Sequence, residues 1–140
     1  MNKIFNQQAL NTDVAALILR LVFGGLFMHF GYTKLAGFNE MLPIFPNPIH
    51  IGVKPTLILV IFAELFCGFL VTIGFLTRLS IIPIFIVMIV VVFIVHAKDP
   101  FDLKTLPFLF MFLSLVIFVL GSGKFSVDNL IFKKRMNRAG

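Results

Sequence analysis

The chain has 140 residues, of which 59% are hydrophobic and 13% are charged, and its formal net charge is +6. Soluble proteins average about 25% charged residues, and a water-soluble core could not absorb this much apolar surface. The composition excludes an ordinary soluble domain and indicates an integral membrane protein.

Four apolar runs follow one another, each close to the roughly 17–25 residues that a helix needs to cross a bilayer. We predict an all-α membrane protein, an antiparallel four-helix transmembrane bundle forming a single domain over residues 1–140. The spans are expected at residues 14–36, 56–76, 79–96 and 105–121, followed by a basic tail at residues 124–140. Lys and Arg side chains concentrate on the side that carries both termini, so the positive-inside rule places the termini in the cytoplasm.

The first span carries basic side chains inside an apolar run. Such a side chain costs several kcal/mol or more in lipid unless it faces a partner or a water-filled cavity. At about 100° per residue, Arg20 and Lys34 share one helix face with Gly24 and Gly31, while His29 points roughly the opposite way. The two glycines remove side-chain bulk where another helix approaches closely.

The longest connection, residues 36–55, separates the first two spans. Its prolines forbid a continuous helix, and apolar residues lie between them. We therefore expect a proline-rich outer loop that lies on the bundle and covers whatever its outer half encloses.

The second span contains Glu64, the only acid in any predicted span. An unpaired carboxylate at this depth takes up a proton or needs a cation. Arg20 and Lys34 are both candidates, and spacing does not choose between them. A purely structural pair that fixes helix register is as consistent with the pattern as a site that handles protons or substrate. The lone cysteine, Cys67, excludes a dithiol mechanism within the chain.

The third span is joined to the second by a turn predicted at Thr77-Arg78-Leu79-Ser80, so these spans are neighbours. His96 closes the third span on the outer side, where His29 and Lys34 are also expected. The fourth span is predicted to stop at Gly121-Ser122-Gly123.

Several short motifs occur in a characteristic order along the chain. They are Leu19-Arg20 with Gly24, Gly31-x-x-Lys34-Leu35, Glu64 with Gly68, Gly74-x-x-Thr77-Arg78, His96, and Gly121-x-Gly123-Lys124-x-Ser126-x-Asp128. In this order and spacing, the chain resembles the DoxX family of small four-helix membrane proteins.

The resemblance implies an integral protein of the bacterial cytoplasmic membrane. Some relatives are small subunits of a thiosulfate:quinone oxidoreductase, and others are associated with quinone or thiol stress, often alongside soluble redox partners. The polar positions of the family correspond to Arg20, Lys34, Glu64, Arg78 and His96.

Our leading hypothesis is a membrane subunit of a quinone- or thiol-linked redox system, with a pocket in the outer half lined by His29, Lys34, Glu64 and His96. The residues expected to act in it are, as catalytic groups, Glu64, His96, Lys34 and Arg20, and, as cofactor contacts, His29, Tyr32 and Arg78. Quinone is the candidate cofactor, and no metal is expected.

Two alternatives stay open. A scaffold subunit without chemistry would use Arg20, Glu64 and the glycines to specify helix packing, and a small transport or permeability factor would line a pathway with them and would need to oligomerise. The expected partners are the lipid bilayer, other redox or membrane-complex subunits and a second copy of the chain. The basic tail indicates contact with anionic lipid and not with nucleic acid.

Overall fold

The computed structural model describes Gln8 and residues 10–139, and all regular structure within this part of the chain is helical. In chain order the helices are α1 (Thr12–Ala36), α2 (Phe38–Met41), α3 (Val53–Ile73), α4 (Thr77–Val95), α5 (Phe101–Leu120) and α6 (Val127–Ala139). Four of them, α1, α3, α4 and α5, are long and apolar enough to cross a membrane. The prediction of four membrane-spanning helices is therefore confirmed.

The two ends of the bundle carry different connections. At one end, the backbone N–H of Lys124, just after α5, donates to Asp13 Oδ1 at the start of α1, with 2.9 Å between the two atoms. We call this the tail end, because α6 begins there. The opposite loop end carries α2, residues 42–52 and the connection from α4 to α5.

Local backbone signals set several helix ends. The Asn11 side chain accepts hydrogen bonds from the N–H groups of Asp13 and Val14, at 3.0 and 3.1 Å, and so caps α1. Gly74, with φ of 77°, and Gly121, with φ of 73°, follow the last residues of α3 and α5. Both take a positive φ that favours glycine, which is why these helices end there.

The turn between α3 and α4 lies earlier than we predicted. The expected turn at residues 77–80 is already helical, and residues 74–76 make the connection. The Asp128 carboxylate accepts hydrogen bonds from the N–H groups of Leu76 and Thr77, at 2.8 and 3.2 Å. A side chain from beyond α5 thus caps α4, which no local pattern around Thr77 could reveal.

The fourth span also begins earlier than residue 105. Helix α5 starts at Phe101, directly after Pro100, and has Asp102 in its first turn. An acidic residue at this position interacts favourably with the helix dipole, so the segment that we predicted as a connection extends the helix.

Helices α1 and α3 approach each other most closely at glycines. A Cβ on Gly24 would lie 2.7 Å from the carbonyl oxygen of Gly68, and one on Gly31 would lie 2.6 Å from the backbone nitrogen of Leu65. Neither contact is sterically allowed, so both positions require glycine at this helix separation. The prediction that these glycines permit close helix packing is confirmed.

Aromatic side chains of α1 and α5 fill the centre of the bundle. The rings of Phe23 and Phe27 stack with centroids 4.6 Å apart, and Phe110 meets Phe27 edge to face at 5.0 Å. Ile84 and Met88 of α4 belong to the same buried cluster. The cluster also includes Cys67 and Val71 of α3, so this core packs all four long helices together directly beside the cavity described next.

Candidate functional site: a charged pair in an apolar cavity

A buried ion pair connects α1 to α3. Lys34 Nζ lies 2.8 Å from Glu64 Oε2, and the two side chains are 22% and 6% exposed. Of the two cations that the sequence left open as partners of Glu64, the structure selects Lys34. Because both charges lie within helices that cross the membrane, each depends on the other for compensation.

Arg20 has a different set of partners at the tail end. Its Nη1 donates to the carbonyl oxygens of Val71 and Thr72, at 3.4 and 3.0 Å, and its Nη2 donates to the carbonyl oxygen of Phe125. The side chain is 1% exposed. Arg20 therefore joins the end of α3 to the segment after α5, and it takes no part in the Glu64 pair.

A cavity of about 410 Å³ opens beside the ion pair at the loop end. All four long helices and the proline-containing segment before α3 contribute to its walls. Its lining residues are Phe27, Phe30, Lys34, Phe45, Pro46, Pro48, Ile49, Thr56, Leu59, Val60, Glu64, Ile86, Val87, Met88, Val90, Val91, Val95, His96, Leu106, Pro107 and Phe110. We call it the loop-end cavity. Its volume lies within the roughly 300–1,000 Å³ that is typical of small-molecule sites, and its mostly apolar walls with few polar groups are typical as well.

Two π-helical segments shape the walls of this cavity. One, Phe62–Cys67, carries Glu64 within α3, and the other, Val91–Val95, ends α4 immediately before His96. A π-helical turn inserts one extra residue and changes the direction of the side chains that follow it, and such segments are frequent at functional sites. These two segments could not be predicted from the sequence, because no residue type in these apolar runs marks a π turn.

His96 is the third ionisable side chain of the cavity, beside Lys34 and Glu64. Its Nδ1 lies 2.7 Å from Asp99 Oδ2 in the turn that follows α4, and its backbone carbonyl accepts from Lys104 Nζ at 3.2 Å. Since Asp99 interacts with Nδ1, Nε2 is the ring nitrogen left for a ligand. Asp99 was missed by the sequence analysis, although its position three residues after His96 was the available signal.

Three predicted ligand contacts lie elsewhere. His29 is exposed on the lipid-facing side of α1, and Tyr32 is 64% exposed. Arg78 lies at the tail end, where its Nε donates to the carbonyl oxygen of Phe118 at 3.0 Å and its Nη2 to that of Val119 at 3.4 Å. None of the three lines the loop-end cavity, so the predicted pocket that included His29 is corrected to one with Lys34, Glu64 and His96.

The chemistry available in the cavity follows from these three groups. Lys34 is a hydrogen-bond donor, Glu64 accepts hydrogen bonds and exchanges a proton, and His96 can do either. They are surrounded by aromatic and aliphatic side chains, where electrostatic interactions are stronger than in water. The arrangement suits a flat, largely apolar molecule with polar oxygen atoms.

The fold and the cavity define an integral membrane protein of four spans with a charged pair facing an internal apolar site. A family model, DoxX, matches residues 15–97, more than half of the chain. The chain belongs to the DoxX family. The matched region contains Arg20, Lys34, Glu64 and His96 and ends before α5.

One relative extends the similarity beyond that region. An uncharacterized protein of Haemophilus influenzae is 30% identical over 134 residues, which cover 90% of this chain and 89% of the relative. No solved structure matches the chain.

Proposed function

We propose that the protein is a membrane subunit of a redox system in the bacterial cytoplasmic membrane, with both termini in the cytoplasm, and that the loop-end cavity binds a quinone. The observation that carries the proposal is the Lys34–Glu64 pair, which is held in membrane-spanning helices and lines an otherwise apolar cavity. A pair that served packing alone would not require a cavity beside it.

The shape and chemistry of the cavity suit a quinone head group. Phe30, Phe45 and Phe110 line the cavity and supply aromatic surfaces for its flat ring. Its two carbonyl oxygens are acceptors, and Lys34 is a donor at one wall while His96 Nε2 is available at another. A small thiol would use the same polar groups but would leave the aromatic walls without a partner.

The charged pair would also assist reduction of the bound quinone. Conversion of a quinone to a quinol takes up two electrons and two protons. The electrons would come from a flavin or a dithiol of a redox partner subunit, and the protons would reach the quinone oxygens through Glu64 and His96. Lys34 would stabilise the negative charge that develops on the oxygen during electron transfer.

A binding experiment on the purified protein tests this proposal. Unfolding can be followed with a dye that fluoresces on reaction with thiols, because the single cysteine, Cys67, is buried in the folded protein. A short-tailed quinone should raise the unfolding temperature of the wild type. The Glu64→Gln variant should bind it about tenfold more weakly, which corresponds to about 1.4 kcal/mol, and Asp102→Asn, an exposed acid outside the cavity, should bind it like the wild type.

A double variant separates binding from folding. Lys34→Met with Glu64→Met replaces the ion pair by apolar side chains of similar size, a change that is often neutral or stabilising for buried pairs. We expect this variant to fold and to lose quinone binding. A wild type that saturating quinone does not stabilise, or a double variant that retains full affinity, would contradict the proposal.

One observation favours a scaffold function as the second candidate. The contacts of Arg20 with carbonyl groups of α3 and of the segment after α5 specify how the helices pack, and the Lys34–Glu64 pair could serve the same purpose. In that function, Glu64→Gln lowers the unfolding temperature or the retention of partner subunits, and the wild type binds no quinone.

A further inference from the structure

We infer that the loop-end cavity opens sideways into the bilayer between α3 and α4, and that its ligand is a lipid-soluble quinone whose isoprenoid tail leaves through this opening. The inference rests on the proposed function and deepens it, because it names the class of quinone and its route of entry. A quinone without a long tail would not need an opening at this position.

The packing of α3 leaves a gap between it and α4 at the loop end. Residues 62–73, towards the tail end, pack on α4, whereas Val53–Ile61, towards the loop end, packs chiefly on α1. The turn at residues 74–76 holds the two helices together at the tail end. They therefore diverge from the tail end to the loop end, and the cavity lies where they have separated.

Side chains on both sides of this gap reach the lipid as well as the cavity. Leu59 of α3 is 53% exposed and Ile86 of α4 is 54% exposed, and both line the cavity. Val60, Val87 and Val90 beside them are partly exposed and line it as well. All five are aliphatic, so the opening offers no hydrogen bond and matches the chemistry of an isoprenoid chain.

The opening lies at the depth of the acyl chains and away from the membrane surface. Ile86 is in the middle of α4, and Leu59 is two turns inside the start of α3. A ligand with its polar head at Lys34 and Glu64 would extend its tail from there directly into the hydrocarbon layer. In this orientation, the polar head group of the quinone lies beside charged side chains, and its apolar tail lies among lipid acyl chains.

The remaining walls are closed or face the loop end. Phe27, Met88 and Phe110 are buried against the aromatic core. Ile49 is an exposed lining residue at the loop end. Leu106 of α5 is as exposed as Leu59, at 53%, and lies at a similar depth in its helix. An opening at Leu106 would lie beside α5 and not between α3 and α4, which makes this residue the matched control for Ile86.

Tryptophan substitution can locate the opening, because the chain contains no Trp. Each of Leu59→Trp, Ile86→Trp, Leu106→Trp and Leu109→Trp would carry a single indole whose fluorescence a bound quinone quenches. Leu109 is exposed on α5 but does not line the cavity, so its variant controls for quinone dissolved in the lipid. The variants are placed in lipid nanodiscs and titrated with a benzoquinone that carries a ten-carbon tail and with the same benzoquinone without a tail.

Substitutions at the opening should weaken binding of the tailed quinone more than binding of the tail-less quinone. Leu59→Trp and Ile86→Trp should weaken binding of the tailed quinone by about tenfold, since the added ring volume must be displaced for the tail to pass. In the same variants, the affinity for the tail-less quinone should fall by a smaller factor, because its ring does not pass between Leu59 and Ile86 once it is bound at Lys34 and Glu64. Leu109→Trp, which lies outside the cavity, should leave the affinity for both quinones at the wild-type value, as measured by unfolding temperature. Leu106→Trp changes a lining residue away from the gap between α3 and α4, so it should change the affinity for both quinones by the same factor.

The outcomes distinguish this inference from the proposed function. A tail-specific loss in Leu106→Trp instead of Ile86→Trp would overturn an opening between α3 and α4, as would equal losses of both quinones in Ile86→Trp. If a tryptophan variant does not fold, Ile86→Ala is used in its place. This substitution widens the opening, so the association rate of the tailed quinone should rise while that of the tail-less quinone stays the same. A wild type that binds neither quinone would instead refute the proposed function.

Discussion

Arg20 and Lys34 lie on the same face of α1, yet their surroundings give them different functions. Arg20 is completely enclosed and spreads its guanidinium over backbone carbonyls from two segments of the tail end. Lys34 makes a single charged contact and keeps part of its side chain open to the cavity. The planar guanidinium of an arginine, with its several N–H donors, suits position 20. The single ammonium group of a lysine, on a flexible side chain, suits position 34.

Replacing Arg20 tests its separation from the ligand site. Arg20→Met would remove a donor from three carbonyl groups, of which that of Val71 also accepts from the Gly74 N–H. We expect a loss of about 2–4 kcal/mol of stability. Quinone affinity of the folded fraction should stay at the wild-type value, because Arg20 does not line the cavity. Thermal unfolding measured through Cys67 and quinone titration check the two expectations.

Arg78→Met is the matched control for this substitution. Arg78 also donates to carbonyl groups at the tail end, but it is exposed and water can replace it. Its removal should cost less than about 1 kcal/mol. A loss of quinone affinity in Arg20→Met without a loss of stability would show that Arg20 acts at the site after all.

Some features of the individual site residues could be predicted from the sequence, and others could not. Helical spacing correctly placed Arg20 and Gly31 on a buried face and His29 on the opposite, exposed side. The choice of Lys34 as the partner of Glu64 depends on the relative translation of α1 and α3, which spacing within one helix does not contain. The pocket prediction for His29 failed because it used depth in the membrane and ignored the direction of the side chain.

At the scale of the elements, the site depends on how closely α1 and α3 pack. Gly31 lies directly against the backbone of Leu65, the residue that follows Glu64. Lys34 is one turn further along the same helix, so the separation of the helices at Gly31 sets the distance across the ion pair. A change in this separation should affect stability and ligand binding together.

Gly31→Ala tests this dependence. The new Cβ would lie 2.6 Å from the Leu65 nitrogen and 2.8 Å from its Cβ, so α1 and α3 must move apart. We expect a destabilisation of about 1–3 kcal/mol, as for overpacked interiors, and weaker quinone binding. Gly25→Ala is the control, since nothing lies within 4 Å of a Cβ at that position. Similar losses in both variants would show that backbone flexibility and not helix separation was responsible.

Element boundaries were predictable where the determining residue is local. Gly74 and Gly121 end their helices by their own backbone conformation, and the sequence marks both. The start of α4 was misplaced because its cap comes from Asp128. The helix α6 was predicted only as a basic tail, although Ser126 is a local capping signal whose Oγ accepts from the Asn129 N–H at 3.1 Å. The long-range contact at its start, from the Asp128 N–H to the Gly74 carbonyl oxygen, could not be predicted from local sequence.

The whole molecule has polar connections at one end and an apolar cavity at the other. At the tail end, hydrogen bonds link the start of α1, the turn between α3 and α4, and the segment between α5 and α6. Around the loop-end cavity, the Lys34–Glu64 pair joins α1 to α3, and Lys104 of α5 donates to the carbonyl oxygen of His96 at the end of α4. The walls are otherwise mainly apolar. We infer that the bundle is held firmly at the tail end and that the helices around the cavity can move apart with less loss of contact.

Asp128 is the group through which this asymmetry can be tested. Its carboxylate accepts hydrogen bonds from the N–H groups of Leu76 and Thr77 and from the hydroxyl of Ser122. In Asp128→Asn, one of the two acceptor oxygens becomes a donor, so at least one of these bonds is lost and the cap on α4 weakens. We expect a loss of about 0.5–2 kcal/mol, the usual range for a helix cap.

Hydrogen exchange locates the effect within the molecule. Amides of residues 76–80 should exchange faster in Asp128→Asn, since their protection depends on the first turn of α4, while amides of residues 56–60 beside the cavity should keep their wild-type rates. Asp102→Asn at the loop end is the control and should leave residues 76–80 unchanged. Uniformly faster exchange over all four long helices would mean that the bundle opens as one unit, and it would contradict a separation between a firm tail end and a more mobile loop end.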